Sequence, residues 1–72
     1  MEVTNNIQEI LDNKDMQVVD IENITGLNRN YLYDVKSGRR VPGVGNAIII
    51  ARALNKSVEE VWEIKKDPLL SG

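Results

Sequence analysis

The segment from Gly26 to Pro42 constrains the fold more than any other part of this chain. In order, it contains a glycine, an asparagine able to cap a helix, about eight residues with two apolar positions, a second glycine and a basic loop. Glycine adopts the left-handed conformation without steric cost, so Gly26 and Gly38 each predict the end of a helix. The segment therefore predicts a short helix, capped by Asn28, between two turns.

Apolar residues at helical spacing predict four further helices around this one. We expect Thr4 to cap the first helix, and the second to run from residue 17 or 18 to residue 25. The fourth covers about residues 45–54, and a capping box that starts at Ser57 predicts the fifth. No segment shows the alternation of a strand, so the sequence predicts an all-α fold of five helices.

The predicted core follows from the apolar face of each helix. Its members are Ile7, Ile10, Leu11, Ile21, Leu27, Leu32, Val35, Ala47, Ile48, Ile50, Ala51, Leu54, Val58, Val61 and Trp62. We expect one domain over residues 1–66 and a loose C-terminal tail over residues 67–72, because Pro68 and a Leu-Leu-Ser-Gly end continue no helix.

The composition excludes several classes of function. The 72 residues include no cysteine and no histidine, which excludes disulfides, thiolate zinc sites and histidine acid–base catalysis. The carboxylates are scattered and no glycine-rich phosphate loop is present, so we expect no enzymatic activity, no cofactor and no metal. The longest apolar run, residues 47–51, is far below the roughly 20 residues of a membrane span, and we expect a soluble, cytoplasmic protein.

The net charge of −2 hides an uneven distribution. Residues 1–27 contain six acidic residues and one lysine, whereas residues 28–56 contain six basic residues and one aspartate. Residues 57–72 contain four acidic residues and two lysines. Because salt screens charges beyond about 8–10 Å, a local basic surface attracts phosphate even on an acidic protein.

Together these motifs resemble the lambda-repressor-like, Cro-type helix-turn-helix family, often called XRE-type. The resemblance covers about residues 7–62. The residues that carry it are Ile21, Thr25, Gly26, Leu27, Asn28, Leu32, Val35, Ser37, Gly38, Arg39, Arg40, Pro42, Ile50, Ala51, Arg52, Ala53, Leu54, Ser57 and Val58. The resemblance implies a compact five-helix domain whose third helix enters the major groove of DNA, and a role in bacterial or phage transcription control.

The resemblance also implies which residues contact DNA. We expect base contacts from Arg29, Asn30, Tyr33 and Asp34, and phosphate contacts from Asn28, Tyr31, Lys36, Arg39 and Arg40. The backbone amides near Asn28 would assist with phosphate. Asn28 serves first as a helix cap, and the two tyrosines fit packing as well as DNA contact.

The second helix departs from the family pattern in two places. Glu22 stands where a small residue is usual, and Val18 where a polar residue usually contacts phosphate. Either the helix is slightly rotated and buries a different stripe, or Val18, Val19, Glu22 and Ile24 form a surface for a protein partner.

Two functions follow from these alternatives. The first is a Cro-like regulator of a phage lysis–lysogeny switch, which would bind a near-palindromic operator as a homodimer. The second is an antirepressor that binds a phage repressor protein and alters its DNA binding.

Overall fold

Residues 2–70 of the computed structural model form five helices and a two-stranded sheet. In chain order, the elements are β1 (Glu2–Asn5), α1 (Ile7–Lys14), α2 (Val18–Thr25), α3 (Arg29–Ser37), α4 (Val44–Ala53), α5 (Val58–Val61) and β2 (Trp62–Lys65). The five predicted helices are therefore confirmed, whereas the prediction of a fold without strands is wrong.

The sheet joins the two ends of the chain. Strands β1 and β2 are antiparallel, with Val3 opposite Ile64 and Asn5 opposite Trp62. Thr4 lies inside β1, so its predicted role as the cap of α1 is wrong. Each strand has only four residues, which is too few for alternation to be recognised, and pairing between distant segments is decided by the tertiary structure.

The Asn5 side chain forms hydrogen bonds with the start of α1 and with the end of α3. Its Oδ1 accepts a hydrogen bond from the backbone N–H of Ile7 at 3.0 Å. Its Nδ2 donates to the carbonyl oxygens of Val35 at 3.0 Å and Lys36 at 3.3 Å. These carbonyls belong to the last turn of α3, where helical partners are missing. The first strand therefore fixes the C-terminal end of α3 through one side chain.

The core lies between the helices and is apolar throughout the residues that the structure describes. Its buried members are Ile7, Ile10, Leu11, Val18, Ile21, Leu32, Val35, Ala47, Ile50, Ala51, Leu54 and Val61. Leu27, Val58 and Trp62 are half-buried against this cluster. Ile48 does not belong to it, because 37% of that residue is exposed on the outer side of α4. The remaining predicted core residues are confirmed.

The turn between α2 and α3 is closed by local hydrogen bonds. Gly26 has a φ of 77°, and its N–H donates to the carbonyl of Glu22 at 2.8 Å. The Thr25 hydroxyl donates to the carbonyl of Ile21 at 2.7 Å and accepts from the N–H of Leu27 at 3.1 Å. A turn with all three of these bonds holds α3 at a defined angle to α2.

At the C-terminal end, Pro68 to Leu70 form a turn on Asp67. The Asp67 carboxylate accepts from the N–H of Leu69 at 2.8 Å, and its carbonyl accepts from the N–H of Leu70 at 3.1 Å. Both leucine side chains are exposed. Three residues lie outside the described part of the chain: Met1 of the predicted domain, and Ser71 and Gly72 of the predicted tail.

Candidate nucleic-acid interface

One face of α3 is buried and the opposite face is open to solvent. Leu32 and Val35 pack into the core. Asn30, Tyr33 and Ser37 are exposed, and Asp34 is half-buried beside them. Residues three, four and seven positions apart share one side of a helix, so these four side chains form a continuous polar row. We call them the α3 row.

The α3 row is presented by a well-capped helix. The Oδ1 of Asn28 accepts from the backbone N–H groups of Asn30 at 2.8 Å and Tyr31 at 3.4 Å. The N–H of Arg29 donates to Oε2 of Glu22 at 3.0 Å. The predicted cap at Asn28 is confirmed. All three amides have acceptors within the protein, so their predicted contact with phosphate would require these acceptors to be exchanged.

Arg29 is held by the same glutamate through its side chain. Its Nε and Nη2 donate to Oε1 of Glu22 at 3.1 and 3.0 Å. The arginine side chain is 53% exposed and the glutamate side chain 28% exposed. The guanidinium therefore lies at the edge of the interface with part of its hydrogen-bonding capacity in use.

A second ion pair lies at the other end of α3. Nε and Nη2 of Arg39 each lie 3.2 Å from Oδ1 of Asp34. The Arg40 backbone N–H also donates to the Asp34 carbonyl, at 3.2 Å, which turns the basic loop back toward the helix. Asp34 and Arg39, predicted to serve base and phosphate respectively, are thus in contact with each other.

Two further basic side chains contact neutral groups. Nζ of Lys36 donates to Oε1 of Gln8 at 2.7 Å and lies 5.3 Å from the ring centroid of Tyr33. The Arg40 guanidinium lies 5.4 Å from the ring centroid of Tyr31. Cation–π contacts of this kind stabilise side-chain positions without neutralising charge. Both residues therefore contribute net positive charge beside the α3 row.

Tyr31 does not belong to the α3 row. It is half-buried, and its hydroxyl accepts a hydrogen bond from Nδ2 of Asn46 on α4 at 3.1 Å. With Arg40 over its ring, this tyrosine connects α3, α4 and the loop between them. Of the two tyrosines, Tyr33 is the one whose ring is exposed on the α3 row.

These contacts reduce the positive charge that the sequence count suggested. Arg29 and Arg39 are each paired with a carboxylate. Lys56 lines a different cleft, together with Glu9 and Glu60. The interface around α3 is therefore only moderately basic, with Lys36 and Arg40 as its contributors that contact no carboxylate in the described residues.

The predicted partner surface on α2 is smaller than expected. Val18 is 4% exposed and packs in the core with Ile21, so its place in an exposed surface is wrong. Val18 and Ile21 both point into the core because positions 18 and 21 share one face of α2. Val19 is half-buried and Ile24 is 61% exposed. Glu22 faces Arg29 rather than standing free for a partner.

Sequence reasoning missed the residues that hold the interface in place. Glu22 lies seven positions before Arg29 across a turn, Gln8 lies on α1, and Asn46 lies on α4. No helical spacing relates them to α3. The departure at Glu22 from the small residue usual in the family was the one available indication, because an acid in a tight turn needs a partner.

The comparison with protein families decides the classification. A family model described as helix-turn-helix matches residues 7–61. The chain belongs to this helix-turn-helix family. The match confirms the Cro- and XRE-type resemblance, and members of the family are DNA-binding transcription regulators. A search of curated proteins found no match to this helix-turn-helix chain.

Two further findings concern metal binding and membrane insertion. Within residues 2–70, no three carboxylates are grouped in a way that could hold a metal ion. No helix in the same range has the length and apolar character needed to cross a membrane. The α3 row and its basic flanks remain the best-defined candidate interface on this helix-turn-helix domain.

Proposed function

We propose that this protein regulates transcription by placing α3 in the major groove of an operator and reading its base pairs. The observation that carries the proposal is the α3 row, three exposed polar side chains and the half-buried Asp34 on a helix whose other face is buried. The major groove admits a helix and presents a distinct donor and acceptor pattern for each base pair.

The chemistry of Arg29 and of three members of the α3 row suggests a role for each of these four residues. The Asn30 amide has a donor and an acceptor side by side and matches the edge of adenine. Arg29, at the edge of the row, matches the two acceptors of guanine, and Asp34 can accept from the amino group of cytosine. Tyr33 adds an exposed ring that can contact a thymine methyl or the sugar-phosphate backbone.

The flanks of α3 suit the phosphate backbone. Arg39 and Arg40 are exposed in the loop after Gly38, and Lys36 lies in the last turn of the helix before it. Cations in this position would fix the register of the helix on DNA without reading sequence. Asn28 lies at the other end of α3, where its side-chain oxygen is already engaged in the helix cap.

The resemblance to Cro-type regulators supports two finer points of the proposal. Such proteins bind as dimers to half-sites about 34 Å apart, so we propose two copies of this chain on a near-palindromic operator. We further propose that the operator belongs to the lysis–lysogeny region of a temperate phage or related mobile element.

The test begins with selection of duplexes from a randomised library by the purified protein. Affinity for the selected duplex and for a scrambled one is then measured with wild-type protein, Asn30→Ala and the control Asn13→Ala. Asn13 is an exposed asparagine that lines the cleft with Lys56, away from the α3 row. A sedimentation measurement on the selected duplex gives the number of bound copies.

We expect Asn30→Ala to lose about 1–3 kcal/mol of discrimination at one base position, the usual value of a two-bond base contact. Asn13→Ala should bind both duplexes as wild type does. The proposal fails if no duplex is enriched, or if Asn30→Ala weakens both duplexes equally. Retention of DNA only when the repressor encoded nearby is added would support the antirepressor function, with the exposed Ile24 and the half-buried Val19 as its apolar contacts.

A further inference from the structure

Glu22 places a carboxylate against the first residue of α3. Both of its oxygens are engaged with Arg29, one with the backbone N–H and the other with the guanidinium. The amide at the start of a helix carries partial positive charge and has no partner within the helix. Glu22 therefore occupies, from within the protein, donors of Arg29 that could otherwise bind a DNA phosphate.

The ion pair between Glu22 and Arg29 combines normal hydrogen-bond distances with a partly exposed arginine side chain. Its guanidinium contacts of 3.0 and 3.1 Å are normal for charge-assisted hydrogen bonds. With 53% of the arginine side chain exposed, water can replace the carboxylate at little cost. Release from Glu22 would let Arg29 extend from the helix.

We propose that Glu22 is a positioning residue, which competes with DNA phosphates for Arg29 and so weakens the binding of this domain to non-operator DNA. This inference rests on the proposed function. On any duplex, moving Arg29 leaves the Glu22 carboxylate without its cation and close to DNA. On an operator, the two acceptors of guanine compensate for that loss, whereas a scrambled sequence offers no such compensation at this position.

The same carboxylate could also serve only to stabilise the turn between α2 and α3. The substitution E22Q separates the two roles, because the glutamine side chain would still offer an oxygen to the Arg29 amide while losing the negative charge. A structural role would change thermal stability. Competition with phosphate would instead change how DNA affinity depends on salt. Each additional phosphate contact steepens the fall of the logarithm of affinity with the logarithm of salt concentration by about 0.9.

The experiment compares wild-type protein, E22Q and the control E9Q on a scrambled duplex at salt concentrations from about 50 to about 200 mM. Glu9 is an exposed glutamate on α1 and lines the cleft with Lys56, so E9Q makes the same change in net charge away from α3. We expect E22Q to bind the scrambled duplex about 5- to 10-fold more tightly at the lowest salt, with a slope steeper by about 0.9. E9Q should change affinity less than about twofold.

The role of Arg29 is tested by repeating E22Q in an R29A background. If Glu22 acts through the arginine, E22Q then leaves the salt slope of R29A unchanged. An equal gain in both backgrounds would overturn the proposal, because simple charge repulsion would explain it. The proposal would also be overturned if E22Q bound the scrambled duplex no more tightly than E9Q does.

These outcomes are distinct from failure of the proposed function, which appears as no preference of wild-type protein for any duplex. The gain of E22Q is measured on scrambled DNA and needs no operator. Where an operator has been selected, E22Q should tighten binding to the operator as well, because Arg29 no longer leaves a carboxylate without its cation when it moves to DNA. Tighter binding to the operator with no gain on scrambled DNA would contradict competition between Glu22 and phosphate.

Discussion

Replacement of Asn5 by alanine should destabilise this domain more than its position near the end of the chain suggests. The side chain is half-buried between β1 and the last turn of α3. It makes three hydrogen bonds of 3.0 to 3.3 Å, to the amide of Ile7 and to the carbonyls of Val35 and Lys36. Asn5→Ala removes all three, and of the two carbonyls only that of Val35 keeps another partner within residues 2–70, the N–H of Gly38 at 3.1 Å.

The size of the effect follows from the number and type of these bonds. A typical hydrogen bond contributes about 0.5–1.5 kcal/mol net, so three give about 1.5–4.5 kcal/mol. Since the site is only partly buried and water can reach it, we expect a loss of about 2–3 kcal/mol. In a domain of this size, 1 kcal/mol corresponds to about 4–8 °C, so the midpoint of thermal unfolding should fall by about 10 °C or more.

Unfolding in urea can be followed by the fluorescence of Trp62, the one tryptophan of the sequence. Asn13→Ala is the matched control, because Asn13 is exposed on α1 and its loss should cost less than about 0.5 kcal/mol. If Asn5→Ala lowers the free energy of unfolding no more than Asn13→Ala does, then Asn5 does not anchor α3, and the account of how β1 positions the interface is wrong.

Two further predictions concern the basic loop and the start of α5. Arg39→Ala should weaken binding to all duplexes alike and flatten the logarithmic salt slope by about 0.9, measured by titration at several salt concentrations; a change at one base position only would contradict a phosphate role. The pKa of Glu60 lies below its ordinary value because the backbone amide and then the hydroxyl of Ser57 donate to its carboxylate. Its stabilising contribution is therefore complete above the ordinary glutamate pKa of about 4.3 and is lost as pH falls through the lowered pKa. Between about pH 6 and about pH 3, the urea midpoint of Glu60→Gln should therefore fall less than that of wild type. Equal falls would show that ionisation of Glu60 does not stabilise the fold.

The helices could be predicted from the sequence because their signals are local. Gly26 and Gly38 end helices through their own backbone freedom, with φ of 77° and 87°, and Asn28 caps α3 with its own side chain. The buried pair Leu32 and Val35 follows from helical spacing alone. Three members of the α3 row, Asn30, Tyr33 and Asp34, were predicted as base contacts through the family resemblance, whereas Ser37 was not.

The pairing of charges could not be predicted in this way. Glu22 and Arg29 are separated by a turn, and their contact depends on the angle between α2 and α3. A count of charges along the sequence treated Arg29 and Arg39 as free cations, whereas the structure places a carboxylate on each. Burial of Val18 likewise depends on how α2 rotates against its neighbours rather than on its own composition.

The sequence by itself determined where this protein makes helices, where they stop and which side of α3 is apolar, because caps, glycines and helical spacing act over a few residues. Tertiary structure alone decided that the two chain ends pair as strands, that Asn5 holds the end of α3, and that Glu22 holds its beginning. Those contacts join residues far apart or across a turn, and their energies exist only once the helices have packed at fixed angles.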